Sequence, residues 1–107
     1  MVMDEQAHRG AQHNKAVRGY IMRSLAKGHN NSLLCRQLVN VMVNDGVIIS
    51  PDISKHLDYL VGKGYAEFTN ERVNSYNAYA NDAVIRLTVE GIDLLEGSVP
   101  DDPGVAI

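Results

Sequence analysis

The chain has 107 residues, 45% of them hydrophobic and 21% charged, with one cysteine and a formal net charge of −3. That length points to one domain with enough core to fold without disulfides or a structural metal, and Cys35, lacking an internal partner, fits a reducing compartment. No apolar run nears the ~20 residues of a bilayer span and none follows Met1-Val2-Met3-Asp4-Glu5, so the expectation is a cytoplasmic protein without membrane contact, whose overall charge counts against a polyanion partner.

Residues 1–14 are polar, include His8 and His13, and lack a hydrophobic period; they read as a flexible N-terminal arm. Over residues 15–27, Val17, Tyr20, Ile21 and Leu25 recur at three- and four-residue intervals, which predicts an amphipathic helix ended by Gly28. Ser32 is the expected N-cap of a second helix over 33–44, with Gly46 as its breaker. Its polar stripe (Arg36, Gln37, Asn40, Asn44) is narrow, so the helix is expected to be covered on more than one side.

Val47-Ile48-Ile49 is β-branched and too short for a helix, and reads as a short strand or extended connection. Ser50-Pro51 is a helix start, with serine as N-cap and proline at the first helical position. In this third helix Ile53, Leu57, Leu60 and Val61 point one way. Lys55, Asp58, Tyr59 and Gly62 point the other, with Asp52 at their N-terminal edge.

Residues 65–69 and 83–88 alternate as strands with one buried face. Between them Asn70, Asn74, Ser75, Asn77, Asn81 and Asp82 favour turns, giving a hairpin with a long polar tip that carries Tyr76 and Tyr79. Thr88 is the expected cap of a last helix with Val89, Ile92 and Leu95 spaced by three, closed by Gly97. Pro100 and Pro103 keep residues 98–107 an extended tail. Charge is uneven along this order: residues 1–65 hold eight basic and five acidic side chains, a net +3, and residues 66–107 hold two and eight, a net −6.

Three helices followed directly by a hairpin resemble the winged helix-turn-helix, an α+β fold in which the second and third helices form the helix-turn-helix and the hairpin is the wing. The stretches from Ile53 through Gly62-Lys63-Gly64-Tyr65 and from Arg86 through Gly97 resemble the recognition-helix exit and wing exit of regulators of the PadR and MarR type. The whole chain, with its Asp102-Pro103-Gly104 tail, also resembles small winged-helix proteins of Mu-like bacteriophages and prophages. The resemblance implies a domain over residues 15–97 that binds double-stranded DNA, with the third helix in the major groove and the wing on the backbone or minor groove. From the residues themselves, Ser54, Lys55 and Tyr59 are the expected contacts on the helix, and Arg72, Asn74 and Tyr76 those on the wing. Asp52 and Asp58 on or beside the same face repel phosphate. A second reading therefore stands beside the first: a protein-interaction module contacting another phage protein through the acidic half and the hairpin.

Gly19, Met22 and Ala26 are small or apolar on the side of the first helix away from its core stripe. They predict close approach of another segment: a homodimer contact of this helix with the last helix or tail, where Val99, Val105 and Ile107 pack on the partner, or cover by the final helix of the same chain. Cys35 lies on the most apolar helix without a histidine at helical spacing and reads as a buried, inert thiol. His8, His13, His29 and His56 make no metal-ligand pattern and are expected at the surface. Asn30-Asn31-Ser32 reads as loop and cap, and Glu90 with Asp93 as a solvated face. No constellation calls for catalysis or a cofactor.

Overall fold

The computed structural model describes residues 5–107. Residues 1–4 of the expected arm lie outside the described residues, and residues 5–14 belong to the first helix, α1 (Glu5–Lys27). Packing holds the part from Lys15 onward, and extending an existing helix adds one hydrogen bond per residue without a new nucleus. Val17, Ile21, Met22 and Leu25 are its buried stripe. Met22, expected on the outward face, is therefore core.

After α1 the chain turns through Asn30 and Asn31, both with left-handed backbone (φ 55° and 56°), a conformation asparagine tolerates better than most residues. It then forms β1 (Ser32–Leu34) and enters α2 (Cys35–Asn44) without a break. Ser32 is thus a strand residue and not a helix cap: its hydroxyl donates to the His29 carbonyl at 2.7 Å. The start of α2 is served instead by Gln37, whose side chain accepts from the Leu34 N–H at 3.2 Å, as in half of a capping box. Cys35, Leu38, Val39 and Met42 are buried, whereas Val41 and Val43 remain 43% and 40% exposed. The helix is covered on one side, not on several.

Val47-Ile48-Ile49 forms no strand. The Val47 and Ile48 N–H groups both turn back to the Met42 carbonyl, closing the end of α2 around the left-handed Gly46 (φ 74°). The third helix, α3 (Ser54–Gly62), begins three residues after Pro51. Asp52 lies ahead of it, and its Oδ1 accepts from the Ser54 N–H at 3.0 Å. Gly64 (φ 80°) ends α3 as Gly46 ends α2, and the Tyr65 N–H closes the turn onto the Leu60 carbonyl.

Strands β2 (Ala66–Phe68) and β3 (Val84–Leu87) pair antiparallel, and β3 also pairs with β1, giving a three-stranded sheet of order β1-β3-β2. The register sets Leu33 and Phe68 on either side of Ile85, a fully buried residue. Helix α4 (Val89–Glu96) starts at Thr88, whose hydroxyl accepts from the Gly91 N–H at 3.1 Å. Gly91 and Leu94 form its buried face, while Val89 is 73% exposed. The inward stripe is therefore turned from the expected one, because Gly91 must pass the Tyr65 carbonyl: a Cβ there would lie 2.1 Å from that oxygen. The four helices and the sheet enclose one core drawn from every element, with Val105 of the tail added to it.

Candidate functional site

The solvent face of α3 carries Lys55, Asp58 and Gly62, while Ser54 at its first residue is half-buried. Lys55 stands exposed as expected. Tyr59 does not: Arg18 of α1 lies 3.8 Å over its ring, and Gly104 of the tail sits so close that a Cβ there would be 1.9 Å from its hydroxyl. A half-buried ring held by a cation on its face and backbone at its tip is committed to packing.

Between β2 and β3 the chain folds back toward the core, burying Ser75, Ala78 and Ala83. The asparagines shape it by bonding nearby backbone. Asn70 Oδ1 accepts from the Arg72 N–H at 3.0 Å, and Asn74 Oδ1 accepts from the N–H groups of Tyr76 and Asn77 at 2.9 and 3.1 Å. The Asn74 oxygen is thereby occupied within its own loop. Arg72 and Tyr76 are exposed, Tyr76 by 70%. Arg36 of α2 pairs with Asp82 at 2.9 Å and lies 5.4 Å from the centre of the Tyr79 ring.

Opposite this loop, the tail lies along α1 and the C-terminal half of α3. The Ala106 N–H donates to the Lys15 carbonyl, and Arg18 and Arg23 donate to the carbonyls of Gly104 and Ala106, all at 3.1 Å. Gly19 admits this backbone, since a Cβ would fall 1.8 Å from the Ala106 oxygen. Asp102 is 8% exposed and accepts from the Tyr65 hydroxyl at 2.5 Å and the Gly104 N–H at 2.7 Å, with Lys63 Nζ at 3.3 Å. Burial works to raise its pKa, but these partners outweigh burial and hold the carboxyl below its ordinary range. The same bond pushes Tyr65 up to about 12.

This arrangement corrects the expected self-association face. Gly19 and Val105 are buried against each other's segments and Met22 lies in the core, so the close approach that small residues permit is used by the chain's own tail. Ala26, Val99 and Ile107 stay exposed. Two of the five lysine and arginine side chains of α1, Arg18 and Arg23, are likewise engaged with the tail.

His56 is a second correction. It is 5% exposed, and its Nδ1 has no hydrogen-bond partner among the described residues. Burial, with the positive charges of Lys55, Arg18 and His13 acting in the same direction, lowers its pKa to about 4. His13 and His29 are exposed, and the side chain of His8 is outside the described residues. Cys35 is buried, and its thiol is pushed up to about 11, so it stays protonated at neutral pH. Among the described residues no group of three or more His, Cys, Asp or Glu could hold a metal ion, and no helix is long and apolar enough to cross a membrane.

Sequence reasoning missed the tail clasp of Asp102, Tyr65 and Lys63. Its one local signal is the pair Gly19 and Gly104, glycines where backbone or ring must come close. No protein-family model, curated protein or solved structure matches the chain.

Proposed function

We propose that the chain is a winged helix-turn-helix domain that binds double-stranded DNA, with α3 as the reading helix and the β2–β3 loop as the wing. The observation that carries this reading is the order α1-β1-α2-α3-β2-β3 together with the sheet order β1-β3-β2, which sets a hairpin directly after the third helix. Lys55 on α3 and Arg72 with Tyr76 on the loop are the exposed side chains suited to phosphate or base edges, and Ser54 lies beside them. Tyr59 leaves the contact set because Arg18 covers its ring and Gly104 crowds its hydroxyl, and Asn74 because its side-chain oxygen is engaged within its own loop. The proposed role is that of a phage or prophage transcriptional regulator. For a homodimer, Ala26, Val99 and Ile107 are the residues of the expected contact still available.

A second reading, a protein-interaction module, is favoured by the charge balance at the same place. Asp52, Asp58 and Glu71 are exposed near the proposed contacts, and the tail already occupies Arg18 and Arg23. A salt series with labelled mixed-sequence duplex DNA separates the two. DNA binding predicts affinity that falls steeply with salt, and Lys55→Ala and Arg72→Ala each weaken it and reduce the salt slope by about 1. No binding at low salt would leave the protein-interaction reading standing.

A further inference from the structure

A cleft of about 420 Å³ opens between the start of α2, residues 51–54, the first turn of α3 and the β2–β3 loop. Its wall includes Cys35, Ile53 and Leu57, which are buried core side chains, and two tyrosines, Tyr76 and Tyr79, which are exposed. A volume of this size with an apolar wall and few polar groups is the usual form of a small-molecule site. Asp52 is the one charged side chain lining it among the described residues. Hydrogen bonds from the Ser54 hydroxyl and amide hold its carboxyl below the ordinary range, so it is ionised at neutral pH. The Cys35 thiol is neutral and adds no charge. Arg36, which lies over the Tyr79 ring at 5.4 Å and does not line the cleft, is paired with Asp82. The cleft thus offers aromatic faces and a single negative charge, which together favour a cation with an aromatic body and disfavour an anion.

We propose that this cleft binds a small aromatic amine in its protonated form, the ring against Tyr76 and Tyr79 and the ammonium group toward Asp52. The site does not depend on the DNA-binding reading, although it lies at the end of α3 which that reading uses.

The test is an NMR titration of the full chain with three indoles of similar size: tryptamine as cation, indole as neutral compound and indole-3-acetate as anion. Tryptamine is expected to shift the amides of Cys35, Ser54, Leu57, Tyr76 and Tyr79 saturably, with indole weaker and indole-3-acetate weakest. Asp52→Asn keeps an oxygen for the Ser54 N–H, so the fold is retained, and it should weaken tryptamine about tenfold while leaving indole unchanged. Ala80→Trp, which places an indole of the chain's own at the lining, should abolish binding of all three. The proposal fails if no compound shifts these amides, if the anion binds as well as the cation, if Asp52→Asn leaves tryptamine unaffected, or if the shifts cluster elsewhere.

Discussion

Helix α3 meets two different surroundings at its two ends. Toward its C-terminus Tyr59 is stacked under Arg18 and closed by Gly104, while Lys63 and Tyr65 just beyond it hold the buried carboxylate of Asp102. At its N-terminus Ser54 faces an open cleft, and across it stand Tyr76, mostly in solvent, and Tyr79, about half exposed with Arg36 over its ring. One end spends its polar and aromatic groups on the fold. The other end is more open to solvent, so the long-range contacts that hold the fold gather on the tail side, although sequence alone sets Tyr59 and Lys55 on the same face.

The largest effect that tests this division is Gly19→Ala. In an undocked helix interior the change would stabilise by about 1 kcal/mol through propensity. With Ala106 where a Cβ would be 1.8 Å away, it should instead destabilise by about 2–3 kcal/mol, as overpacking does, read by urea denaturation. A stabilised variant would show that the tail does not hold α1.

Acid comes next. His56 has a folded pKa of about 4 against an ordinary 6.5, so as pH falls through 6.5 the unfolded chain takes up the proton first. Stability should therefore decline between pH 6.5 and 4, by on the order of 2 kcal/mol. His56→Leu should flatten the denaturation midpoint over that window. Asp52 at the open end, with its pKa lowered from 3.8, contributes a loss only below that value, so the two groups are separable by pH.

The smallest effect belongs to the loop side. Arg36 and Asp82 are paired at 2.9 Å with side chains 50% and 62% exposed, and Arg36→Ala should move the thermal midpoint by no more than about 0.5 kcal/mol equivalent. A loss comparable to that of Gly19→Ala would show the loop to be as firmly fastened as the tail.

Much of the fold is legible where a local rule has one outcome. Gly46, Gly64 and Gly97 end α2, α3 and α4 as their positions imply, Thr88 caps α4, and the asparagines bend the loop. Ser32-Leu33-Leu34 is not legible locally, because three residues satisfy a helical apolar pattern and a strand equally; only pairing with Val84, Ile85 and Arg86, some fifty residues on, decides between them. Val47-Ile48-Ile49 has the composition of a strand but pairs with none, and the amides of Val47 and Ile48 serve the end of α2. At the candidate site, exposure of Lys55, Arg72 and Tyr76 follows from pattern. The occupation of Tyr59 does not, since it comes from Gly104, forty-five residues away, and from Arg18 on another helix. Gly19 did signal close approach; what approaches is the chain's own backbone.

The clasp between tail and first helix also orders events in time. Arg18 and Arg23 reach carbonyls 86 and 83 positions along the chain, so the loops these bonds close are very long, and such closures form late because their entropy cost precedes their reward. Interactions absent from the folding transition state act on the rate of unfolding. The last six residues therefore set how long the folded molecule lasts more than how fast it forms, and whatever lifts them shortens its lifetime without touching the end of α3 that faces the cleft.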